Sequence, residues 1–370
     1  MQTRGRRLTR KLVILGAGFD APVGIPTMAG FFQKAWEFVG RELMGDNLGF
    51  ESFPDEDIEH FMRVRHSWQT WRSKPETVSA INLEEFAIFV EEHQPDRMSD
   101  LRYVITRTFE LARRVWVLRH EHCPGHPDWE PVYRAFARDV LARRNEVAVL
   151  SFNYSPIFEQ ALRQEGGRPE YRLQHVCAND DITTDGCPTV EVIKPHGSMS
   201  WFVPVDTDPV VIYVRTPGNV EMQNAPWSGP ANWESGWPQV GGDKRMALIL
   251  PPSRKAGQKP ERLNGRLGAE RRLLEPVWEH LKRILPGIES CFIAGWSAPM
   301  TDTYVFDHLS CLKQKCTRVS VLNKNAEERT GLESRYRKFL PENVNFDPEP
   351  DFGGMRAADD MPLWKCFLES

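Results

Sequence analysis

No apolar run in the sequence approaches the ~20 residues needed to span a bilayer, so no membrane-spanning segment is expected. Nor is there a CxxC pair. The seven cysteines are odd in number and scattered over a long chain, which excludes an orderly disulfide framework and makes a reducing cytoplasm the expected setting. Positive charge is not in excess either: the formal net charge is -4, which argues against a nucleic-acid binder working through a general basic surface. Acid is missing from the first ten residues, MQTRGRRLTR, which hold four arginines but lead into no apolar h-region. Residues 1–11 therefore read as a disordered basic tail rather than a targeting peptide. No internal repeat or low-complexity tract is visible.

What the chain has in quantity is material for a core. Its 370 residues are 41% hydrophobic and include 12 tryptophans and 20 phenylalanines. The organising stretch is LVILGAGFDAPVGIPTMAGF, from Leu12 to Phe31. Four aliphatic residues, Leu12 to Leu15, read as a strand buried on both faces, and Gly16-Ala17-Gly18 reads as the tight turn that ends it. The reading gives Gly16 a backbone conformation closed to other residues and lets a ligand approach the main chain at Gly18. A helix beyond would turn its free N–H groups toward the turn, where an anion such as a pyrophosphate is the natural guest. Gly24-Ile25-Pro26-Thr27 keeps the loop irregular until Thr27 caps the next helix. By itself the G-x-G-x-x-A match at Gly16, Gly18 and Ala21 also reads as a turn that binds nothing.

From about 42 to 145 the apolar residues recur at three and four, which predicts helices broken near 73–75, Pro95 and 123–127. An ordinary dehydrogenase would place here a second strand ending in an acid for the ribose; none is present. Strands resume at EVAVLSF, EVIKPHG, MALILPP, SCFIAGW and RVSVLNKN, with helices at IFEQALRQ, LGAERRLLEPVWEHLKRIL and TDTYVFDHLSCLKQK. The expected fold is α/β: a Rossmann-like parallel sheet with helices on both faces and a large helical insertion after the first strand and helix. The corresponding division is 12–41 with 146–346 for the nucleotide-binding unit, 42–145 for the insertion and 347–370 for a C-terminal tail. The Pro-, Gly- and Trp-rich stretch 203–243 reads as a loop or lid.

Four strand ends carry glycine or polar turns: GAGFD, SFNYS, PHGS and GWSAPMTD, with Asn323 after a fifth. In an open parallel sheet these ends share one edge, where ligands bind. Taken in order, GAGF with GIPT, SFNY, KPHGSMSW, LILPPSRK, AGWSAPMTD and VLNKN resemble the SIR2-like (sirtuin-related) family, in its bacterial NAD-hydrolysing branch without the deacetylase zinc module. The likeness spans about 12–325. It implies NAD as substrate, Asn153 and His196 at the nicotinamide ribose, and Gly16, Ala17, Gly18 and Phe19 around the pyrophosphate. It also implies that Asp20, Pro26, Thr27, Gly197 and Gly295 line the site, with Ser297 and Asn323 on the adenosine side.

Chemistry agrees with these roles. Loss of nicotinamide creates an oxocarbenium-like centre and a neutral leaving group, so a positioned water and a base matter more than a strong acid. The Asn153 amide both donates and accepts, and His196 titrates near neutrality. Read singly, Asn153 is a helix cap and His196 a turn histidine; the matched frame gives both a function. Asp302 reads as a cap; Lys194 and Lys255 could neutralise phosphate, but exposed lysines are common and both are left outside the site. Asp20 stands where serine is usual and Ser155 where aspartate often follows, and the cofactor-loop arginine is missing after GIP. A carboxylate at 20 would repel a pyrophosphate, so Asp20 is expected to cap a helix or meet a hydroxyl. Metal is not expected, since the only Cys/His cluster (His120, His122, Cys123, His126) reads as accidental.

The expectation is thus a cytoplasmic NAD+ hydrolase giving nicotinamide and ADP-ribose, serving antiphage defence by NAD depletion. Control by homo-oligomerisation or by a partner chain, such as a ring-forming HerA-like ATPase or an Argonaute-like protein, is implied by the same resemblance. A catalytically weak NAD or ADP-ribose sensor in a larger assembly is the alternative. No membrane and no direct nucleic-acid contact is expected.

Overall fold

The computed structural model describes residues 11–43, 55–74, 82–122, 129–173, 176–178, 186–204, 209, 212–214, 239–240, 243–250, 265–299, 302–322, 329–341, 348–349 and 363–369. Strand β1 (Lys11–Leu15) leads into a single-turn helix α1 (Ala17–Asp20), then α2 (Phe31–Leu43), α3 (Asp55–Arg72), α4 (Leu83–His93), α5 (Met98–His122) and α6 (Glu130–Ala142). These are followed by β2 (Val147–Ser151), α7 (Ile157–Gln164), β3 (Arg168–Glu170), β4 (Val176–Ala178), β5 (Thr189–Ile193), β6 (Gly197–Pro204), β7 (Ile212–Val214), β8 (Gln239–Val240) and β9 (Asp243–Ile249). The chain then forms α8 (Gly265–Ile284), β10 (Ser290–Ala294), α9 (Thr303–Leu309), β11 (Arg318–Leu322), α10 (Arg329–Tyr336), β12 (Pro348–Glu349) and α11 (Leu363–Glu369).

Seven strands form one sheet in the order β12-β11-β10-β1-β2-β5-β3. Every pairing in it is parallel. Alternation along β1 shows why its apolar run is unbroken: Val13 and Leu15 belong to one buried cluster and Leu12 and Ile14 to another, one on each face of the sheet. The first cluster takes in α2 to α6 and the C-terminal helix, the second α8, α9 and α10. This is the expected α/β Rossmann-like architecture, with α3 to α6 between β1 and β2. The chain moves from β1 to β2 on one side and returns to β10 on the other, so the order reverses at β1, the place where open sheets hold ligands.

A second, five-stranded sheet, β4-β7-β6-β9-β8, departs from expectation. MALIL belongs to it, pairing antiparallel with β6 rather than parallel in the main sheet. β7 and β8 lie inside the stretch read as a loop; most of 205–242 lies outside the described residues. The C-terminal helix α11 packs on the core. Trp364 donates to Asp139 at 2.9 Å, and Lys11 Nζ donates to the carbonyl of Leu368 at 2.7 Å.

Candidate active site at the carboxyl edge of the sheet

Register places the strand ends level. Leu15 pairs with Ser151 on one side and Ala294 on the other, Ala294 with Leu322, and Leu150 with Ile193. Gly16, Phe152, Lys194 and Gly295 therefore begin their loops along one edge. Asn323, the next residue after β11, lies outside the described residues, as do Lys255 and Cys123 to His126.

The first turn is built differently from its sequence reading. Gly16 is in ordinary extended backbone, φ -121° and ψ 178°. Its lack of a side chain serves packing, since a Cβ there would lie 2.3 Å from Trp296 Cα. Gly18 likewise admits the main chain of Gly295, whose carbonyl accepts from Gly18 N–H at 2.8 Å. Gly295 sits at φ +62°, and a Cβ on it would meet Phe19 N at 2.0 Å, so this position requires glycine. Phe19 N–H is spent on Gly16 C=O at 2.8 Å. The turn opens into the single-turn α1, which tightens the loop on itself, and the helix read beyond Thr27 is α2, beginning at Phe31. Thr27 does not start α2 but accepts from Gly30 N–H at 3.4 Å in an exposed turn before it. Among the described contacts, none ties Pro26 or Thr27 to Asn153 or His196.

The second and third motifs do meet. The Phe152 ring stacks on Trp296 at 4.7 Å and lies 5.6 Å from the His196 ring, joining the loops after β2, β5 and β10. Asn153 is 5% exposed, and its Oδ1 has no hydrogen-bond partner among the described residues. A buried amide oxygen left unpaired in this way is poised for a donor from outside the protein. His196 turns off β5 where Gly197 N–H closes on Lys194 C=O at 3.1 Å, and its own carbonyl accepts from Leu250 N–H at 2.9 Å. Its ring Nε2 lies 2.8 Å from Asp302 Oδ2. Burial disfavours charge on this ring, but the Asp302 carboxylate, Glu84 and a separate hydrogen bond from the ring to the Leu250 backbone outweigh it, so His196 titrates above its ordinary value. Asp302 is thus part of the cluster rather than only the residue before a helix. Ser297 is exposed and Gly197 is buried.

Asp20 meets a hydroxyl, as one of its expected roles had it: Ser155 Oγ donates to Asp20 Oδ2. Desolvation dominates its titration and raises it to about 7, although Ser155, Lys194 and Arg113 pull the other way. Asp20 and Ser155, two of the positions that depart from the resembled pattern, are therefore partners. Below neutrality Asp20 is largely an uncharged acid, which removes its repulsion toward an anion. Lys194, read as a surface lysine, is fully buried; Nζ donates to Glu159 Oε1 and to Ser155 C=O, both at 2.8 Å. Its signal in the sequence was its place inside a buried strand end.

Among the described residues no group of three or more His, Cys, Asp or Glu could hold a metal ion, and no helix is long and apolar enough to cross a membrane.

No protein-family model and no curated protein matches the chain. Solved structures do. A Sir2 homologue in complex with NAD is 14% identical, with 91% of this chain and 84% of that one covered at a TM-score of 0.40. Sir2Tm bound to a propionylated peptide is 11% identical, covering 97% and 90% at 0.36. A structure on the basis of sirtuin substrate affinity is 9% identical, covering 97% and 92% at 0.38. The α/β Rossmann-like class itself stands on strand order and register.

Proposed function

We propose that the protein is an NAD+ glycohydrolase that releases nicotinamide and ADP-ribose, with Asn153 and His196 as its catalytic residues. The observation that carries this reading is the buried Asn153 amide, whose Oδ1 has no partner among the described residues and whose neighbour Phe152 lies 5.6 Å from the His196 ring, at the switch point of a parallel sheet. Such an amide orients a water or a ribose hydroxyl, and an adjacent imidazole takes the proton that the oriented group gives up. The Gly16 to Asp20 turn and the Gly295 to Ser297 loop, drawn together by the Gly18 to Gly295 bond, are assigned to the diphosphate and adenosine ends.

The biological setting that fits this activity is antiphage defence by NAD depletion in the cytoplasm. Restraint would come from homo-oligomerisation or a partner such as a HerA-like ATPase or an Argonaute-like protein. Nicotinamide release by the chain alone, compared with release beside its genomic neighbour, tests that control.

The decisive assay measures nicotinamide released by wild type, Asn153→Ala and His196→Ala. Each variant is expected to lose about 10²-fold or more in kcat. Equal turnover in all three would refute the site. NAD binding without any release by the wild type would select the sensor reading instead.

A further inference from the structure

Asp302 occupies the N-cap position of α9, where an aspartate normally turns its side chain onto the helix amides. Its backbone does the ordinary work: the carbonyl accepts from Val305 N–H at 3.1 Å and Phe306 N–H at 3.3 Å. Its side chain makes no capping bond. It reaches His196 instead, and the pair is 6% and 3% exposed. The turn delivering it is held by Asp302 N–H on Pro299 C=O at 3.0 Å, and the residue just before that turn, Ala298, is a non-glycine residue at φ +48°. A buried alanine in left-handed backbone is a steric cost that the surrounding structure sustains, and such costs cluster where side-chain placement matters.

We propose that Asp302 is a positioning residue that holds the neutral His196 ring with its N–H on Nε2 and so leaves Nδ1 as the atom that receives the proton in NAD cleavage. The inference rests on the function proposed above for the same site. Of the two acceptors the ring meets, the Asp302 carboxylate at 2.8 Å and the Leu250 backbone, the carboxylate is the stronger, so the single proton of the neutral imidazole stays on Nε2. In the reaction, the C–N bond to nicotinamide breaks with its electron pair leaving on the neutral base, and a water oxygen bonds to the ribose carbon. The proton lost by that water forms a bond to Nδ1, and Asp302 balances the imidazolium until the proton returns to solvent. Glu84 on α4 also faces the ring electrostatically and favours the same charged state, while Tyr154 lies in the field of the same two carboxylates and of Arg102.

The test pairs a ligand-free readout with a kinetic one. Nitrogen-detected NMR of His196 in the wild type should show the Nε2–H tautomer above its pKa. In Asp302→Asn, an isosteric change that deletes the charge, the ring should titrate lower by about one to three pH units. The rise of kcat with pH should move the same way, with kcat falling at least ~10-fold while KM stays within about threefold. Asp302→Ala should lose kcat further. Unchanged His196 titration in Asp302→Asn would overturn the proposal and leave Asp302 a structural cap. A wild type that releases no nicotinamide yet shows the expected tautomer and titration shift would sustain the positioning role and refute the hydrolase reading.

Discussion

Asp20 shows how burial alone redefines a carboxyl group. Lying 1% exposed beside Ser155, Lys194, Glu159, Arg113 and Tyr133, it prefers its protonated form up to about pH 7. Because its folded pKa lies above its unfolded one, the stability it contributes is full below about pH 4 and is lost as pH rises through 7. Asp20→Asn keeps an acceptor for the Ser155 hydroxyl and cannot ionise. The variant should therefore show a flatter profile of denaturation midpoint between pH 4 and 8 than the wild type, and exceed it at pH 8. A parallel decline in both proteins would show that Asp20 is charged throughout. The same reasoning gives the diphosphate affinity a direction. NAD binding by the wild type should weaken as pH rises through 7, and binding by Asp20→Asn should weaken less, which calorimetric titration at pH 6 and pH 8 would read.

Elements reach this edge through contacts between loops rather than through any one motif, and the clearest case is α1 against the loop after β10. Gly295→Ala would force a methyl onto Phe19 N and left-handed backbone onto alanine. It should cost on the order of 1–2 kcal/mol from the backbone conformation alone, more with the clash, and should depress NAD turnover in whatever fraction remains folded. At the far end of the sheet Trp364 of α11 sits edge-on to Phe136 at 5.9 Å and is 2% exposed. Trp364→Ala should destabilise by about 3–5 kcal/mol in chemical denaturation, with turnover per folded molecule unchanged. Legibility varied by element in the same physical way. Strands buried on both faces and helices with apolar spacing were readable because periodicity carries them. β6 was not, because Gly197 to Trp201 directly follows a turn and looks like its continuation, while its pairing with β9 joins residues far apart in sequence. Asp302 was misread for the converse reason: position before a helix predicts a cap, and only the sheet order β10-β1-β2-β5, which puts the loops after β10 and β5 on one edge, brings His196 within its reach.

At the scale of the whole molecule, the helices between β1 and β2 are joined to α8 by buried charge. Arg102 of α5 donates from Nη1 to Glu270 Oε1 at 2.7 Å and holds Nη2 in ion-pair contact with Oε2 at 2.6 Å, with residues 3% and 0% exposed; Arg266 adds a second hydrogen bond to Oε1 at 2.9 Å. Arg271 pairs with Glu91 of α4 at 2.8 Å. α4 carries Glu84, which faces His196 electrostatically, so the geometry of this ionic seam bears on the charge state of the site. Desolvation makes such pairs poor sources of net stability but costly to break singly. Glu270→Ala should therefore destabilise by about 3–5 kcal/mol, because Arg102 would be left buried with its main acceptor gone. The double replacement Arg102→Met with Glu270→Leu should recover most of that loss, since neither charge then needs a partner. Denaturant midpoints of Arg102→Met, Glu270→Leu and the double give a coupling energy, and a value near zero would show that the seam is solvated rather than buried. If the helices and the sheet hold the site jointly, Glu270→Ala should also move the His196 titration, whereas the double variant, with the packing restored, should return it toward the wild-type value.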